Sequence, residues 1–382
     1  MDGFLADTGV VGSAPARRYL WTDAFAVCAL LELEAQGTPP HAGAGSYGLL
    51  ALRLVDQVHH VLGRHRADDP REGWLSGLPG PEGEVHPTAG GLRIGKHLPE
   101  RPPGELLDQR VEWDRDGQYF HYLTRWMHAL LRVAEENGNE PWFRWALELA
   151  RAAHDGFVRE SPEGGRRYMP WKMSIDLARP LVDVPGHHDP LDGYVTLLTL
   201  TTHARRSEFE DVPVESELMD FRDMSGVAAG RGWATDDPLG LGGLLVDAWR
   251  VAQLHARGAR GLDRLFLLLV DSALAGYRAF HASPLLESPP AFRLPFRELG
   301  LALGSHAVER LLDSAASGAV PGDADRAIRR LVSLQGLRRI GREIEETWLE
   351  PENRRLPCWS DHEDINTVML ATSLIPESYL RA

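Results

Sequence analysis

The chain has 382 residues, and its 41 basic and 55 acidic side chains give a formal net charge of −14, which argues against nucleic acid or an anionic membrane surface as a partner. Its two cysteines, Cys28 and Cys358, form neither a metal-binding spacing nor a disulfide framework, and no apolar run approaches the ~18 residues that span a bilayer. Because the sequence lacks a secretory leader pattern and a linker-like change of composition, we expect one cytoplasmic domain, residues 1–382, that needs no metal or other cofactor.

Amphipathic helical stretches recur along the chain, and six of them begin just after a short polar or acidic cluster. Most of these six are followed by a second helical stretch, a pattern typical of stacked two-helix units that bury their apolar faces against one another. Strand signals are few, with at most a short hairpin near residues 90–94. The predicted helices cover residues 20–36, 46–66, 116–137, 140–159, 193–206, 214–230, 239–257, 262–281, 295–315, 323–349 and 362–374.

Six helical hairpins in one chain predict an all-α fold, an (α/α)6 toroid of eleven or twelve helices with the inner helices around a funnel. The six polar helix starts would then converge on one rim, with long loops at the mouth of the funnel. The candidate functional residues are therefore those at the helix starts and in the two long loops, residues 68–104 and 161–192.

The start of the predicted helix at 116–137 combines aromatic rings with charged groups. Apolar faces of sugar rings stack on Trp or Tyr, while carboxylates and guanidinium groups bind sugar hydroxyls. We predict that Asp114 is a catalytic carboxylate, whereas Asp116 either binds substrate or caps the helix. His121, with Arg125 and His128 on the same helix face, either lines the funnel or belongs to a buried polar network. The predicted substrate-binding residues of this segment are Trp113, Arg115, Asp116, Tyr119 and His121.

The loop at 161–192 is rich in aromatic residues, charge and proline, and it is long enough to shape a binding site. Trp171 and Lys172 are predicted to contact substrate. Near the end of the loop, His187 and His188 precede Asp189. A histidine beside a carboxylate can act as a general base that the carboxylate orients, so these three residues are predicted to be catalytic.

Lysine is rare in this chain. Only two of the 41 basic residues are lysines, Lys96 and Lys172, and the excess of arginine is typical of a GC-rich, bacterial genome. A lysine that remains in such a chain can mark a need for a compact ammonium group, with chance retention as the alternative.

The adjacent His59 and His60 point in different directions on a helix, and we expect both at the surface.

The segment before the helix at 362–374 carries a tryptophan, a histidine and three acidic residues. Ser360 with Glu363 matches the S-x-x-E capping box, which gives those two residues a structural explanation. The acidic group also includes Asp361 and could supply a general acid, with His362 as a further catalytic candidate. Trp359 is predicted to extend the aromatic platform for a sugar ring.

With these helix starts, the chain resembles the six-hairpin glycosidase-like superfamily of (α/α)6 barrels, which includes glycoside hydrolases, unsaturated glucuronyl hydrolases and N-acylglucosamine 2-epimerases. The resemblance covers nearly the whole length and is architectural. The segment PGHHD at 185–189 is similar to a P-G-H motif that precedes an inner helix of the epimerases, which implies that His187 is a proton-transfer base and His362 a second catalytic histidine. Pro190 and the missing Glu/Trp pattern after the histidine depart from that motif.

A carbohydrate-active hydrolase is the leading expectation for function. Its general acid would come from the group Asp361, Glu363 and Asp364, or would be Asp114. Asp189 or Asp114 would activate water. Arg115 and Lys172 would bind hydroxyls or a substrate carboxylate. The ring platform would consist of Trp113, Tyr119, Trp171 and Trp359.

Three alternatives to the hydrolase stay open. A sugar epimerase or isomerase would use His187 or His188 together with His362. A terpenoid-type cyclase and a non-catalytic binding toroid are the other two. The expected partner is a small molecule or an oligosaccharide, and a homodimer stays open as well.

Overall fold

The computed structural model of the protein describes residues 1–40, 45–138, 140–161, 164–165, 167–209 and 212–382. These residues are mostly helical, with two small antiparallel hairpins, so the predicted all-α class is confirmed. No helix in the described ranges is long and apolar enough to cross a bilayer. The chain falls into two compact units, an N-terminal unit of residues 2–225 and a C-terminal unit of residues 226–382.

The long helices of the N-terminal unit begin and end within a few residues of the predicted bounds, because apolar periodicity and local caps both mark them. Ser46, for example, accepts a hydrogen bond from the N–H of Leu49 at 3.3 Å and so caps the third helix. The helices of this unit are α1 (Asp2–Asp7), α2 (Leu20–Ala35), α3 (Tyr47–Leu62), α4 (Gly80–Val85), α5 (Gln109–Glu112), α6 (Phe120–Asn137), α7 (Trp142–Phe157), α8 (Asp189–Arg206) and α9 (Glu215–Met224).

Helix α6 is central to the N-terminal unit, because α2, α7 and α8 all pack against it. Its side chains are buried on nearly every side, including Trp126 and Arg132, as the apolar positions around the whole helix predict. Gly138 follows the last turn with φ 88°, a backbone conformation that favours glycine. The packing brings the first turns of α6 and α8 together, since Arg125 of α6 lies 3.4 Å from Asp192 of α8.

Two β-hairpins lie between α7 and α8. Strand β1 (Arg159–Glu160) pairs with β2 (Arg167–Tyr168), and β3 (Pro170–Met173) pairs with β4 (Pro180–Pro185). Strand β3 is also attached to the residues before α6, because Gln118 and Met173 exchange two backbone hydrogen bonds of 2.9 and 3.0 Å. The long loop that the sequence predicts at 161–192 is therefore folded against the start of α6.

The strand expected near residues 90–94 is not formed in the described structure. Arg93 donates its backbone N–H to the carbonyl of Leu62 at 2.9 Å, and Ile94 donates to the carbonyl of Gly117 at 2.8 Å. The buried polar groups of this segment are thus satisfied by single contacts to the end of α3 and the approach to α6, which removes the need for a hairpin partner.

The C-terminal unit also follows the predicted helices, with one break. The helix predicted at 323–349 is interrupted between residues 332 and 337, where Gly336 lies so close to Tyr277 that a Cβ would stand 2.5 Å from the phenol oxygen. The helices of this unit are α10 (Pro238–Ala256), α11 (Asp263–His281), α12 (Pro295–Ala316), α13 (Ala324–Val332), α14 (Leu337–Leu349), α15 (Pro357–Ser360), α16 (Glu363–Leu374) and α17 (Glu377–Leu380).

Helices α10 and α12 pack against each other in the C-terminal unit, and glycines permit their close approach. A Cβ on Gly242 would lie 2.0 Å from the carbonyl oxygen of Gly300. One turn further along α12, a Cβ on Gly304 would lie 2.5 Å from the Cα of Gly242. The two backbones therefore touch directly, and any larger side chain at these positions would force them apart.

His59 is buried, although the sequence favours a surface position for it. Its Nε2 accepts a hydrogen bond from the Nε1–H of Trp126 at 3.1 Å, and its ring packs edge-on against Trp145 with centroids 4.9 Å apart. Burial, with a smaller contribution from the neighbouring His60, lowers the pKa of His59 to about 3. His59 is thus a neutral hydrogen-bond acceptor that links α3, α6 and α7.

Candidate functional site

The residues before α6 are organised around the buried carboxylate of Asp116. Its Oδ1 accepts hydrogen bonds from the backbone N–H groups of Gly95 and Gly117, each at 3.0 Å, and its Oδ2 accepts one from Arg93. Arg66 lies 3.5 Å away. Asp116 therefore joins two loops, and it does not cap α6, whose N-cap is Tyr119. The Asp116 side chain is fully buried, and its contact with a substrate stays a prediction.

Lys172 is also enclosed. Its ammonium donates to the Oε1 of Glu112 at 2.9 Å and to the carbonyls of Glu112 and Arg115, each at 2.7 Å. Burial lowers the pKa of Lys172, and the hydrogen bond to Glu112 opposes that shift. These three hydrogen bonds fix β3 to the segment 112–115, and a contact of Lys172 with substrate stays a prediction. Arg115 itself donates to Glu105 at 2.6 Å.

This attachment places two tryptophans side by side. The rings of Trp113 and Trp171 pack edge to face with centroids 5.2 Å apart, and Trp113 is 53% exposed. They border a cavity of about 420 Å³, a size common for small-molecule sites. The cavity is lined by Leu107, Gln109, Glu112, Trp113, Trp171, Val182, Val184, Pro185, Gly186 and His187.

A histidine–carboxylate pair adjoins this cavity. Nδ1 of His121, in the first turn of α6, lies 3.4 Å from Oδ1 of Asp189, the first residue of α8. The His121 ring stacks on Tyr119 with centroids 5.4 Å apart, and on Trp171 at 6.5 Å. These ring contacts and the carboxylate hold the imidazole from two sides. Its side chain is 28% exposed, and its Nε2 has no hydrogen-bond partner among the described residues.

Asp189 is held against the wall of the cavity. A Cβ on Gly186, which lines the cavity, would lie 2.0 Å from Oδ2 of Asp189. That oxygen is buried and accepts no hydrogen bond within the described part of the chain. Buried carboxylate oxygens without a partner are uncommon, and a catalytic role is one of the explanations for them.

The predicted pairing of His188 with Asp189 takes a different form in the structure. His188 is the N-cap residue of α8 and makes no capping hydrogen bond through its side chain, while Asp189 turns toward His121 on α6. His187 lines the cavity, and its ring lies 4.6 Å from that of His188. The structure therefore places His187 in the wall of the cavity with Trp113 and Trp171. His121 and Asp189 lie next to this wall, where His121 contacts Trp171 and Asp189 contacts Gly186.

Asp114 is exposed and does not line this cavity. Its charge acts on Lys96, and its backbone carbonyl accepts a hydrogen bond from Leu98 at 3.1 Å. A catalytic role for Asp114 stays a prediction.

The remaining predicted residues belong to the C-terminal unit. Trp359 is 2% exposed and stacks on Trp348 with centroids 5.9 Å apart, so it belongs to the core of this unit. Its contact with a sugar stays a prediction. Asp361, His362 and Glu363 are exposed where α16 begins. The predicted capping box is not formed, because His362 is the N-cap residue of α16 and makes no side-chain cap.

Comparisons of this chain with models of known protein families, with curated proteins and with solved structures find no match. The all-α class is compatible with the resemblance to six-hairpin barrels, while the toroid and the superfamily belong to the proposal that follows.

Proposed function

We propose that this protein is a carbohydrate-active enzyme that transfers a proton at a sugar bound in the Trp113–Trp171 cavity. One observation carries the proposal: a histidine–carboxylate pair, His121 and Asp189, adjoins a cavity with an exposed tryptophan. The tryptophan faces offer the apolar surface on which sugar rings stack. With this site we propose the (α/α)6 toroid as the architecture and the six-hairpin superfamily as the relatives.

In the proposed reaction, His121 acts as the general base. Because Asp189 faces Nδ1, it favours the tautomer with the proton on Nδ1 and leaves Nε2 as the proton acceptor. Nε2 would take the proton from the sugar carbon next to a carbonyl group, and the electron pair would move to the carbonyl oxygen to give an enediolate. His187, which lines the same cavity, would return a proton to the same carbon or to its neighbour. The first outcome is epimerisation and the second is isomerisation.

Hydrogen exchange with solvent tests this reaction directly. The protein would be incubated in D₂O with aldoses, ketoses and N-acylamino sugars, and NMR would follow deuterium at the carbons next to the carbonyl. His121→Gln should lower the exchange rate about 10²–10⁴-fold, the usual contribution of a general base. His60→Gln is the matched control, because His60 pairs at the surface with Glu84 and contacts none of the site residues.

A second candidate is glycoside hydrolysis, and the buried, unpartnered Oδ2 of Asp189 favours it. In that reaction Asp189 would activate water, and Asp114 would protonate the leaving oxygen. New reducing ends without deuterium in the sugar carbons would support hydrolysis and contradict the proton-transfer reaction. If neither product nor binding appears with any sugar, both candidates are wrong.

A further inference from the structure

The wall of the Trp113–Trp171 cavity is mainly apolar. Of the ten described residues that line it, six have apolar side chains and only Gln109, Glu112 and His187 have polar ones. A free sugar presents hydroxyls on most of its edges, and these need hydrogen-bond partners once they leave water. The wall therefore suits a ligand that has an apolar part besides its sugar ring. The apolar residues are Leu107, Trp113, Trp171, Val182, Val184 and Pro185.

The carboxylate in this wall is already neutralised. Oε1 of Glu112 accepts a hydrogen bond from Lys172 at 2.9 Å, and Oε2 accepts one from Arg101 at 3.1 Å. No other acidic residue, and no lysine or arginine, lines the cavity within the described part of the chain. A charged ligand therefore meets no uncompensated carboxylate, ammonium or guanidinium in the wall. An aliphatic group placed there would bury no unpaired charge of this kind.

Strand β4 turns its apolar side chains to the cavity. Val182 and Val184 line the cavity, while Asp183 between them accepts a hydrogen bond from the hydroxyl of Tyr168 at 2.9 Å. Successive side chains of a strand point to opposite faces, which explains this alternation. The strand therefore has one polar face, which Tyr168 partners, and one apolar face, which borders the cavity.

The reacting pair touches this wall at two places. Asp189 contacts it at Gly186, and His121 contacts it at Trp171. A sugar carbon within reach of His121 therefore lies near Trp171 and Gly186. From Gly186 back to Val182 the chain spans about 13 Å at roughly 3.3 Å per residue, which is longer than one sugar ring. A free monosaccharide at the reacting pair would leave the rest of the apolar wall uncovered.

Apolar side chains continue at the mouth of the cavity. Leu107 is 45% exposed and Val184 is 64% exposed, although both line the cavity. Leu106 and Val111, from the same segment as Leu107, are exposed as well. Exposed apolar side chains that are scattered singly are ordinary, whereas a group of them beside a pocket is typical of a binding site.

Arg101 fixes the two sides of the cavity to each other. Its guanidinium donates to the carbonyl oxygens of Glu105 and Leu181, each at 2.6 Å, besides its contact with Glu112. The segment 105–113 and strand β4 are thus held together by one side chain. The apolar surface is therefore preformed, and a ligand does not have to bring its two sides together.

We propose that Leu107, Val182 and Val184 bind an aliphatic chain attached to the sugar, so that the substrate is an amphiphile, a sugar that carries an alkyl or acyl chain. This inference rests on the proposed function, because it assumes that the sugar itself lies at Trp171 within reach of His121. A second protein chain fits less well. A stable protein interface covers roughly 800 Å² on each partner, whereas these residues line a concave cavity of about 420 Å³.

Calorimetry with 6-O-alkyl ethers of glucose tests the inference. The methyl, butyl, hexyl and octyl ethers share one sugar with a free carbonyl end, differ only in chain length and are used below their micelle concentrations. Each buried methylene should tighten binding about two- to fourfold. The wild type should therefore bind the hexyl ether about tenfold or more tightly than the methyl ether. The heat-capacity change of binding should also become more negative as the chain grows.

Two variants locate the chain. Val184→Ser and Leu107→Ser replace exposed side chains, so both proteins should fold like the wild type. Each should lower the ratio of hexyl-ether to methyl-ether affinity about threefold or more, because apolar contact with the chain is lost. Val85→Ser is the matched control, since Val85 is an exposed valine of the same unit that does not line the cavity. Its affinity ratio should equal that of the wild type.

Three results would overturn the inference and leave the proposed function intact. The first is equal affinity of the wild type for glucose and for all four ethers. The second is a dependence on chain length that is unchanged in folded Val184→Ser and Leu107→Ser, which would place the chain elsewhere. The third is a wild-type dimer that dissociates in Val184→Ser, measured by sedimentation, which would assign the wall to a second copy of the chain. The chain-length series in the wild type needs no variant, so it tests the inference even if a variant fails to fold.

Two further results would contradict the proposed function as well. Binding of 1-octanol as tight as that of the octyl ether would mean that the cavity takes an apolar ligand without recognising a sugar. If neither glucose nor any ether binds, the proposed function and this inference are both wrong.

Discussion

Nδ1 of His121 lies 3.4 Å from Oδ1 of Asp189, although the two residues begin different helices, α6 and α8. The contact follows from the packing of these two helices with their first turns together. It places a titratable base beside the Trp113–Trp171 cavity, with its ring held by Tyr119 and Trp171. A fixed orientation of the base matters for catalysis, because a displacement of a catalytic group by about 1 Å can lower the rate about a hundredfold.

We predict that Gly186→Ala lowers turnover by displacing Asp189. The new methyl group would stand 2.0 Å from Oδ2, so the carboxylate has to rotate or shift away from His121. The expected loss in the deuterium-exchange rate is about tenfold or more. Gly80→Ala is the matched control, because a Cβ on Gly80 meets nothing within 4 Å. Exchange at the wild-type rate in folded Gly186→Ala would show that Asp189 does not position His121.

We predict that Trp113→Ala weakens sugar binding with little effect on folding. Trp113 is 53% exposed, so its removal should change the free energy of unfolding by only about 0.5 kcal/mol, the usual limit for surface positions. Loss of the ring face should lower the affinity for sugar about tenfold, or about 1.4 kcal/mol. Calorimetry measures the affinity and urea unfolding measures the stability.

The matched control for the tryptophan is Phe292→Ala. Phe292 is 80% exposed and belongs to the C-terminal unit. Its loss should therefore leave the affinity for sugar and the free energy of unfolding near the wild-type values. An affinity in Trp113→Ala equal to that of Phe292→Ala would mean that the sugar does not stack on Trp113.

Much of the helical structure could be predicted from the sequence, because a helix depends on neighbours three or four positions away. The break after Val332 could not, and Gly336 in this break packs against Tyr277 of another helix, a contact that the local sequence does not show. The hairpins between α7 and α8 were missed for a similar reason. Strand β3 is held by Gln118 and by β4, and neither contact is visible in a stretch that reads as a proline-rich loop.

The candidate site was only partly predictable. Aromatic and charged residues at helix starts predict a site in the segment before α6, and the structure places Trp113 of this segment at a cavity. The burial of Asp116 and Lys172 could not be predicted, because it depends on ion pairs with Arg93 and Glu112, which are distant in the sequence. The pairing of His121 with Asp189 results from the packing of α6 on α8, which the sequence does not show. Adjacency in the sequence instead predicts His188 as the partner of Asp189.

We predict that His59 makes the protein less stable in acid. Its pKa is about 3 in the folded protein and takes the ordinary value of 6.5 once the chain unfolds. Between these values the unfolded chain binds more protons, so the free energy of unfolding falls as the pH drops from 6.5 toward 3. The contribution of this one group is about 1.4 kcal/mol per pH unit.

Comparison with His59→Gln isolates that contribution, because all other titrating groups stay the same. Glutamine keeps an acceptor for the Nε1–H of Trp126 and does not titrate. Urea unfolding at several pH values from 6 to 4 should show a steeper loss of stability in the wild type than in the variant. If the free energy of unfolding changes with pH in parallel in the two proteins, protonated His59 must be stabilised in the folded state by a partner or by water.

We predict opposite effects for alanine at two adjacent glycines of α10. Gly242 faces α12, where a Cβ would lie 2.0 Å from the carbonyl oxygen of Gly300, so Gly242→Ala has to push two helix backbones apart. Overpacking of this kind typically costs about 1–3 kcal/mol. A Cβ on Gly243 meets nothing within 4 Å, so Gly243→Ala should stabilise the helix by about 0.5–1 kcal/mol. Urea unfolding of the two variants under identical conditions measures both changes, and equal free energies of unfolding would show that α10 and α12 do not pack through Gly242.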